Sequence, residues 1–147
     1  MEKIFLYLDD IRTPENPNNE WIDGIPEWQV VRSYDEFVAH VQKNGLDAYS
    51  IISLDHDLGD TVMDEFYNNS VPNYTINYDN IKEKTGYDVA KWLVSESLNT
   101  GIPLPRICVH SANPIGAANI MGYINNYLKI CRRPQNCIRV QIPIVNK

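Results

Sequence analysis

The sequence predicts an α/β fold, a wound five-stranded parallel sheet carried in one domain of 147 residues. Three observations predict it. Short apolar runs alternate with amphipathic helical segments along most of the chain, the pattern of strand-helix-strand crossovers of one hand. Apolar residues make up 44% and charged residues 22%, ordinary globular usage that excludes wholesale disorder and a fibrous architecture. Acids and histidines gather where the apolar runs stop, which is where a wound parallel sheet binds its ligands. A chain of this length hides roughly two thirds of its unfolded surface on folding, enough for a real core.

The elements follow in order. "KIFLYL", Lys3 to Leu8, is an apolar strand that empties abruptly into Asp9 and Asp10. "IRTPENPNNEWIDGIP" holds three prolines and three asparagines and reads as loop. "WQVVR", Trp28 to Arg32, is the second strand. Ser33 with Glu36 makes a capping-box pattern, after which Tyr34, Phe37, Val38 and Val41 share one helical face until Gly45. The third strand, Ser50 to Leu54, is continuously apolar and expected to be covered on both faces. Thr85 and Asp88 suit a second capping box, with Tyr87, Ala90, Leu93, Val94 and Leu98 turned to the sheet. "RICV", Arg106 to Val109, is the fourth strand. Asn113 then caps a helix opening at Pro114, with Ile120, Met121, Ile124 and Leu128 as its inner stripe. In "CIRVQIP" Ile138, Val140 and Ile142 alternate inward with Arg139 and Gln141 outward, as in an edge strand.

Asp60 to Lys84 is the irregular region, about 25 residues rich in Asn and Tyr and longer than the roughly 12 to 15 at which a structureless loop becomes uncommon. A lid over a site and a decorative hairpin fit it equally. Tyr67, Tyr74 and Tyr78 are candidates to stack on a nucleobase, although tyrosine is common in exposed hairpins.

A net charge of −6 excludes a protein that coats long DNA or RNA, because phosphate neutralisation needs clustered Lys and Arg. "KICRR", Lys129 to Arg133, is the one compact basic patch and reads as a solvated helix end. No apolar run approaches the roughly 18 residues of a membrane span, and "MEKIFLYLDD" has charges where a signal sequence has none. A cytoplasmic protein with no membrane partner is expected. Cys108, Cys131 and Cys137 are an odd count without metal-ligand spacing, so reduced thiols are expected.

Asp9 and Asp10 follow the first strand, Asp55, His56 and Asp57 the third, and His110 and Ser111 the fourth, so the topology brings all of them to the carboxyl edge. Each group alone is more often a turn former or a cap. Their convergence is what points to a site. Two carboxylates about 4 Å apart repel by about 4 kcal/mol at an effective dielectric near 20, the order of the whole stability of a small domain. A hard divalent cation reverses that sign. Oxygen donors without a thiolate cluster favour Mg²⁺, with Mn²⁺ a close second.

"LDD" after the first strand, Asp55 ending the third and "SA" (Ser111, Ala112) after the fourth resemble receiver domains of two-component signalling. In those, paired acids and an aspartate hold Mg²⁺ and the aspartate accepts a phosphoryl group. More specifically, "LYLDDIRTP", "VVRSYDEF", "SLDHDLG", "TGYDVAKWL" and "VHSANPIGAANI" together resemble the receiver-like cyclic-phosphate processing domains of bacteria and phages. The resemblance covers most of the chain, excepting the insertion and the last strand. It implies a flavodoxin-like, receiver-like sheet of strand order 2-1-3-4-5. One departure matters: receivers end their last strand in a lysine that senses the phosphoryl group, whereas "RVQIPIV" offers only Gln141 near that place.

His56 beside Asp55 and His110 beside Ser111 stand where ordinary receivers have no such pair, and two imidazoles with a metal are the parts that phosphodiester hydrolysis uses. The expected reaction is hydrolytic opening of a cyclic phosphate on a small nucleotide or an RNA end. Asp9, Asp10 and Asp55 hold the metal, with Asp57 a lesser contributor, and Asp55 belongs to the catalytic group with the histidines. His56 and His110 share base and acid duties in an order the sequence leaves open. Ser111 and the backbone N–H groups opening the Asn113 helix receive a phosphate oxygen, with Gly116 allowing close approach. Arg12 pairs a non-bridging oxygen or, equally, a surface acid. The rival expectations are a degenerate receiver that binds or signals without turnover, and a phosphoaspartyl receiver modified at Asp55.

Overall fold

The computed structural model describes residues 3–15 and 27–145. The apolar runs form β1 (Ile4–Leu8), β2 (Gln29–Val31), β3 (Tyr49–Leu54), β4 (Arg106–Val109) and β5 (Ile138–Arg139). They pair in parallel as one five-stranded sheet of order β2-β1-β3-β4-β5. Three long helices connect them: α1 (Tyr34–Asn44), α4 (Gly86–Thr100) and α5 (Pro114–Ile130). The predicted caps hold. Ser33 Oγ accepts from Glu36 N, the Thr85/Asp88 capping box closes in both directions, and Asn113 Oδ1 accepts from Ile115 N and Gly116 N.

Because side chains alternate along a strand, the in-register rows Leu6, Ile52, Ile107 and Leu8, Leu54, Val109 all point to one face. That face meets Phe37 and Val41 of α1, Val89, Ala90, Leu93 and Val94 of α4, and Ala117, Ile120, Ile124 and Leu128 of α5. The steps from β2 to β3, β4 and β5 all advance the same way across the sheet, so crossovers of one hand stack the three helices on the same side. The opposite face carries Phe5 and Tyr7, packed edge-on against Trp28, with Ser53 and Cys108 in the row of Tyr7.

Three expectations are corrected. Leu98 does not face the sheet but is 65% exposed; the inner position belongs to Ser97, whose hydroxyl donates to Ile102 O and meets Tyr127 Oη. The last strand is only two residues long and Ile138 is 57% exposed, the buried residue being Cys137, its N–H held by Asn125 Oδ1, while Val140 and Ile142 are part-buried between the exposed Arg139 and Gln141. The insertion is not a hairpin but a chain of helical turns: α2 (Asp60–Glu65), a π-turn (Phe66–Ser70), α3 (Val71–Asn73) and a 3₁₀ turn (Tyr78–Asn80). The buried Glu65 organises it, accepting from Asn69 Nδ2, Asn77 N and Asn80 Nδ2. The loop expected over Ile11 to Pro26 falls, for residues 16–26, outside the described residues.

Candidate functional site

The strand order reverses at β1, so connections leave the carboxyl ends of β1 and β3 in opposite directions and open a crevice between them. The hydrogen-bond ladder runs one residue past each strand, with Asp9 N donating to Val31 O, Asp55 N to Leu8 O and His110 N to Leu54 O. Two-residue periodicity then decides what faces what. Asp9, Asp55 and His110 continue the row of Tyr7, Ser53 and Cys108, on the face away from the long helices.

Asp9, Asp10 and Asp55 each present a carboxylate oxygen within 4.8 Å of the others. Asp9 is buried; its Oδ1 accepts from Ile11 N at 2.9 Å and Arg12 N at 2.7 Å, and its Oδ2 accepts from Arg12 Nε at 2.7 Å. Burial pushes its pKa up, but the contact with His110, these backbone donors and the Arg12 charge outweigh it and hold the carboxyl at about 2. Asp55 stands the other way. Burial, with the negative charge of Asp9 next, drives it to about 7 although Arg12 Nη2 lies 3.3 Å from its Oδ1. Burial and Asp9 also raise Asp10. Arg12 thus bridges two carboxylates, and Arg32 secures its loop by donating to Arg12 O at 2.6 Å and Thr13 Oγ1 at 2.8 Å.

His110 is buried with Nε2 3.2 Å from Asp9 Oδ2 and Nδ1 2.7 Å from Ser53 Oγ, its ring stacked 4.1 Å from Tyr7. Burial lowers its pKa in spite of Asp9, which favours the neutral ring. Beside it opens a cleft of about 880 Å³, bordered by Tyr7, Arg12, Glu15, His110, Ser111 and Arg139 and by the segment Val140 to Ile144. Ser111 Oγ accepts from Asn113 N, and Ser111 O accepts from both Nε and Nη2 of Arg139.

His56, Asp57 and Asn113 do not join this centre. His56 shares the parity of Ile52 and Leu54, so its ring turns to the helix side and is 0% exposed. Its Nδ1 lies 2.6 Å from Asp57 Oδ1 and its Nε2 3.0 Å from Tyr78 Oη, leaving no nitrogen for water or substrate. Asp57 Oδ1 also accepts from Asn113 Nδ2. It stands outside the acid trio, though its charge still raises Asp55. Asn113 spends its other end capping α5, which satisfies the N–H groups expected to receive phosphate. Gly116 allows close approach, but of the His56 ring: a Cβ there would come within 2.3 Å of it. Tyr78 pins the insertion to this cluster, accepting from Asn119 Nδ2 and stacking on Tyr87, whereas Tyr67 and Tyr74 are exposed and no insertion residue borders the cleft.

Tyr7, Ser53 and Arg139 are site neighbours that motif reasoning missed. A signal existed for the first two: a polar row two residues before Asp9, Asp55 and His110.

A parallel sheet of order 2-1-3-4-5 with an acid trio at its switch point defines a receiver-like α/β domain. The chain belongs to the cyclic-phosphate processing receiver domain family, whose model matches residues 4–126. That span includes the trio, Arg12 and His110 and stops before β5 and the cleft's outer wall. No curated protein and no solved structure gives a significant match. No helix among the described residues is long and apolar enough to cross a membrane.

Proposed function

We propose that the protein opens a cyclic phosphate on a nucleotide or an RNA end by divalent-cation-assisted hydrolysis. The observation that supports this best is the acid trio of Asp9, Asp10 and Asp55 in contact with Arg12 and His110, which themselves border the cleft, in a member of a cyclic-phosphate processing family. An all-oxygen donor set containing a carboxyl driven up to about 7 fits a hard cation, and Asp9, Asp10 and Asp55 would hold Mg²⁺ or Mn²⁺. Such an ion supplies positive charge that offsets what develops on the phosphoryl oxygens. Arg12, fixed by Asp9, adds a guanidinium to the same wall for a non-bridging oxygen. His110 moves the proton. Ser53 Oγ holds Nδ1, and Nε2 exchanges its contact with Asp9 Oδ2 for the attacking water, takes that water's proton as oxygen adds to phosphorus and the ring P–O bond breaks, and returns it to the departing alkoxide. Ser111 Oγ accepts from Asn113 N and keeps its own proton to donate to a phosphoryl oxygen. His56 acts from outside, holding Asp57 and the insertion in place.

A binding module without turnover is the second reading, favoured by Arg12 already balancing Asp9 and Asp55. The test is a screen of cyclic mononucleotides, cyclic oligonucleotides and cyclic-ended RNA with Mg²⁺ or Mn²⁺, products read by mass. Ring-opened phosphomonoester is expected from the wild type and none from His110→Gln at an unchanged melting temperature. Tight binding without product would establish the second reading, and undiminished turnover by His110→Gln would remove the mechanism.

A further inference from the structure

We propose that Tyr7 and the carboxyl-terminal strap, Val140 to Ile144, read the ligand of this cleft: the Tyr7 phenol donates to a sugar or phosphoryl oxygen, and the strap lies along the nucleoside. The inference rests on the reading that the site takes a cyclic phosphate.

Tyr7 is fully buried, yet its hydroxyl finds no hydrogen-bond partner among the described residues. A buried hydroxyl left unpaired carries an uncompensated desolvation cost, and the great majority in folded proteins are paired. Tyr7 borders the cleft, and its stacking on His110, with ring planes only 8° apart, sets the phenol beside the imidazole. A ligand oxygen in the cleft would satisfy it. A phenol is protonated at neutral pH and serves as a donor to an anionic or hydroxyl oxygen.

The cleft is built for a molecule with two unlike ends. Arg12, Glu15, His110 and Ser111 line it with charged and hydrogen-bonding groups, and Val140, Ile142 and Pro143 add apolar surface, with Gln141 among them. Its volume of about 880 Å³ lies within the roughly 300–1,000 Å³ of small-molecule sites. A phosphate joined to a flat, partly apolar base matches both kinds of lining. The strap is anchored at each end: Val140 N donates to Val109 O, while Glu15 N donates to Pro143 O and Val145 N to Thr13 O. The bridge between Pro14 and Ile144 ties it to the same loop that carries Asp9, Asp10 and Arg12. Strap and acid loop are therefore one unit, and a ligand seated under the strap is held in register with the acids.

The test is calorimetric binding of inorganic phosphate and of adenosine 2′,3′-cyclic phosphate, in metal-free buffer, to the wild type, Tyr7→Phe and Ile142→Ala, with melting temperatures alongside. Tyr7→Phe is expected to melt no lower than the wild type, having lost no protein partner, and to bind the cyclic nucleotide about tenfold more weakly. Ile142→Ala is expected to weaken the cyclic nucleotide about fivefold and to leave inorganic phosphate unchanged. Wild-type nucleotide affinity in Tyr7→Phe, a fall of several degrees in its melting temperature, or a wild type that binds neither probe would each overturn the inference. Hydrolysis is judged separately by product mass, so a chain that binds through Tyr7 and leaves the ring closed keeps this inference and loses the reaction.

Discussion

Asp55 sits where burial and the charges of Asp9, Asp57 and Asp10 oppose ionisation and outweigh Arg12 and the His56 N–H that favour it, so its pKa stands at about 7 against an ordinary 3.8. For a group raised on folding, the stabilising contribution is complete below the unfolded value and is lost as pH rises through the folded one. The metal-free protein should therefore lose stability between about pH 4 and pH 7, by a few kcal/mol at most for a shift of this size. Asp55→Asn removes that slope. Its melting temperature is expected to match the wild type near pH 4 and to exceed it at pH 8, while Mg²⁺ binding disappears from calorimetry; a variant that melts lower at pH 8 would mean the carboxylate is net favourable. The two histidines separate by their surroundings. His56 is packed between Gly116 and Tyr78, so His56→Ala opens a buried space and strands Asp57 and Tyr78, costing about 2–4 kcal/mol in denaturant unfolding. Adjacent in sequence, Asp55 and His56 have opposite fates because consecutive strand residues point to opposite faces.

Among the elements, α4 and α5 approach the end of β3 only because each has a glycine in its first turn. A Cβ at Gly86 would come within 1.9 Å of Asp55 O, and one at Gly116 within 2.3 Å of the His56 ring. Gly116→Ala should therefore lose about 1–3 kcal/mol despite alanine's better helix propensity, checked by chemical denaturation. The insertion depends on one carboxylate. Glu65 is surrounded by donors from Asn69, Asn77 and Asn80, and Glu65→Gln offers a single acceptor oxygen to all three. Faster proteolysis within residues 66–80 is expected, with the sheet intact. The capping sequences at Ser33, Thr85 and Asn113 were legible because a cap needs only residues two or three apart. The helical build of the insertion was not, because its turns are held by Glu65 reaching as far as Asn80 and by Tyr78 reaching α5.

At the scale of the whole molecule, acids crowd one edge of the sheet beneath a net charge of −6, and a cation should bind more strongly as Asp55 gives up its proton. Added Mg²⁺ is expected to raise the melting temperature more at pH 8 than at pH 5, by mass action on the folded state. An equal or reversed effect would place the ion away from Asp55. The sequence by itself determined the parallel sheet, its crossover helices and the arrival of Asp9, Asp10, Asp55 and His110 at one edge, since local periodicity and chain order suffice for these. Only the tertiary structure decided that His56, Asp57 and Asn113 close a buried network apart from the acids, that β5 turns Ile138 outward, and that Tyr7 is buried beside a cleft walled by the strap. Those outcomes depend on which faces neighbouring strands and helices leave open, and contacts between residues as distant as Pro14 and Ile144 leave no local pattern to read.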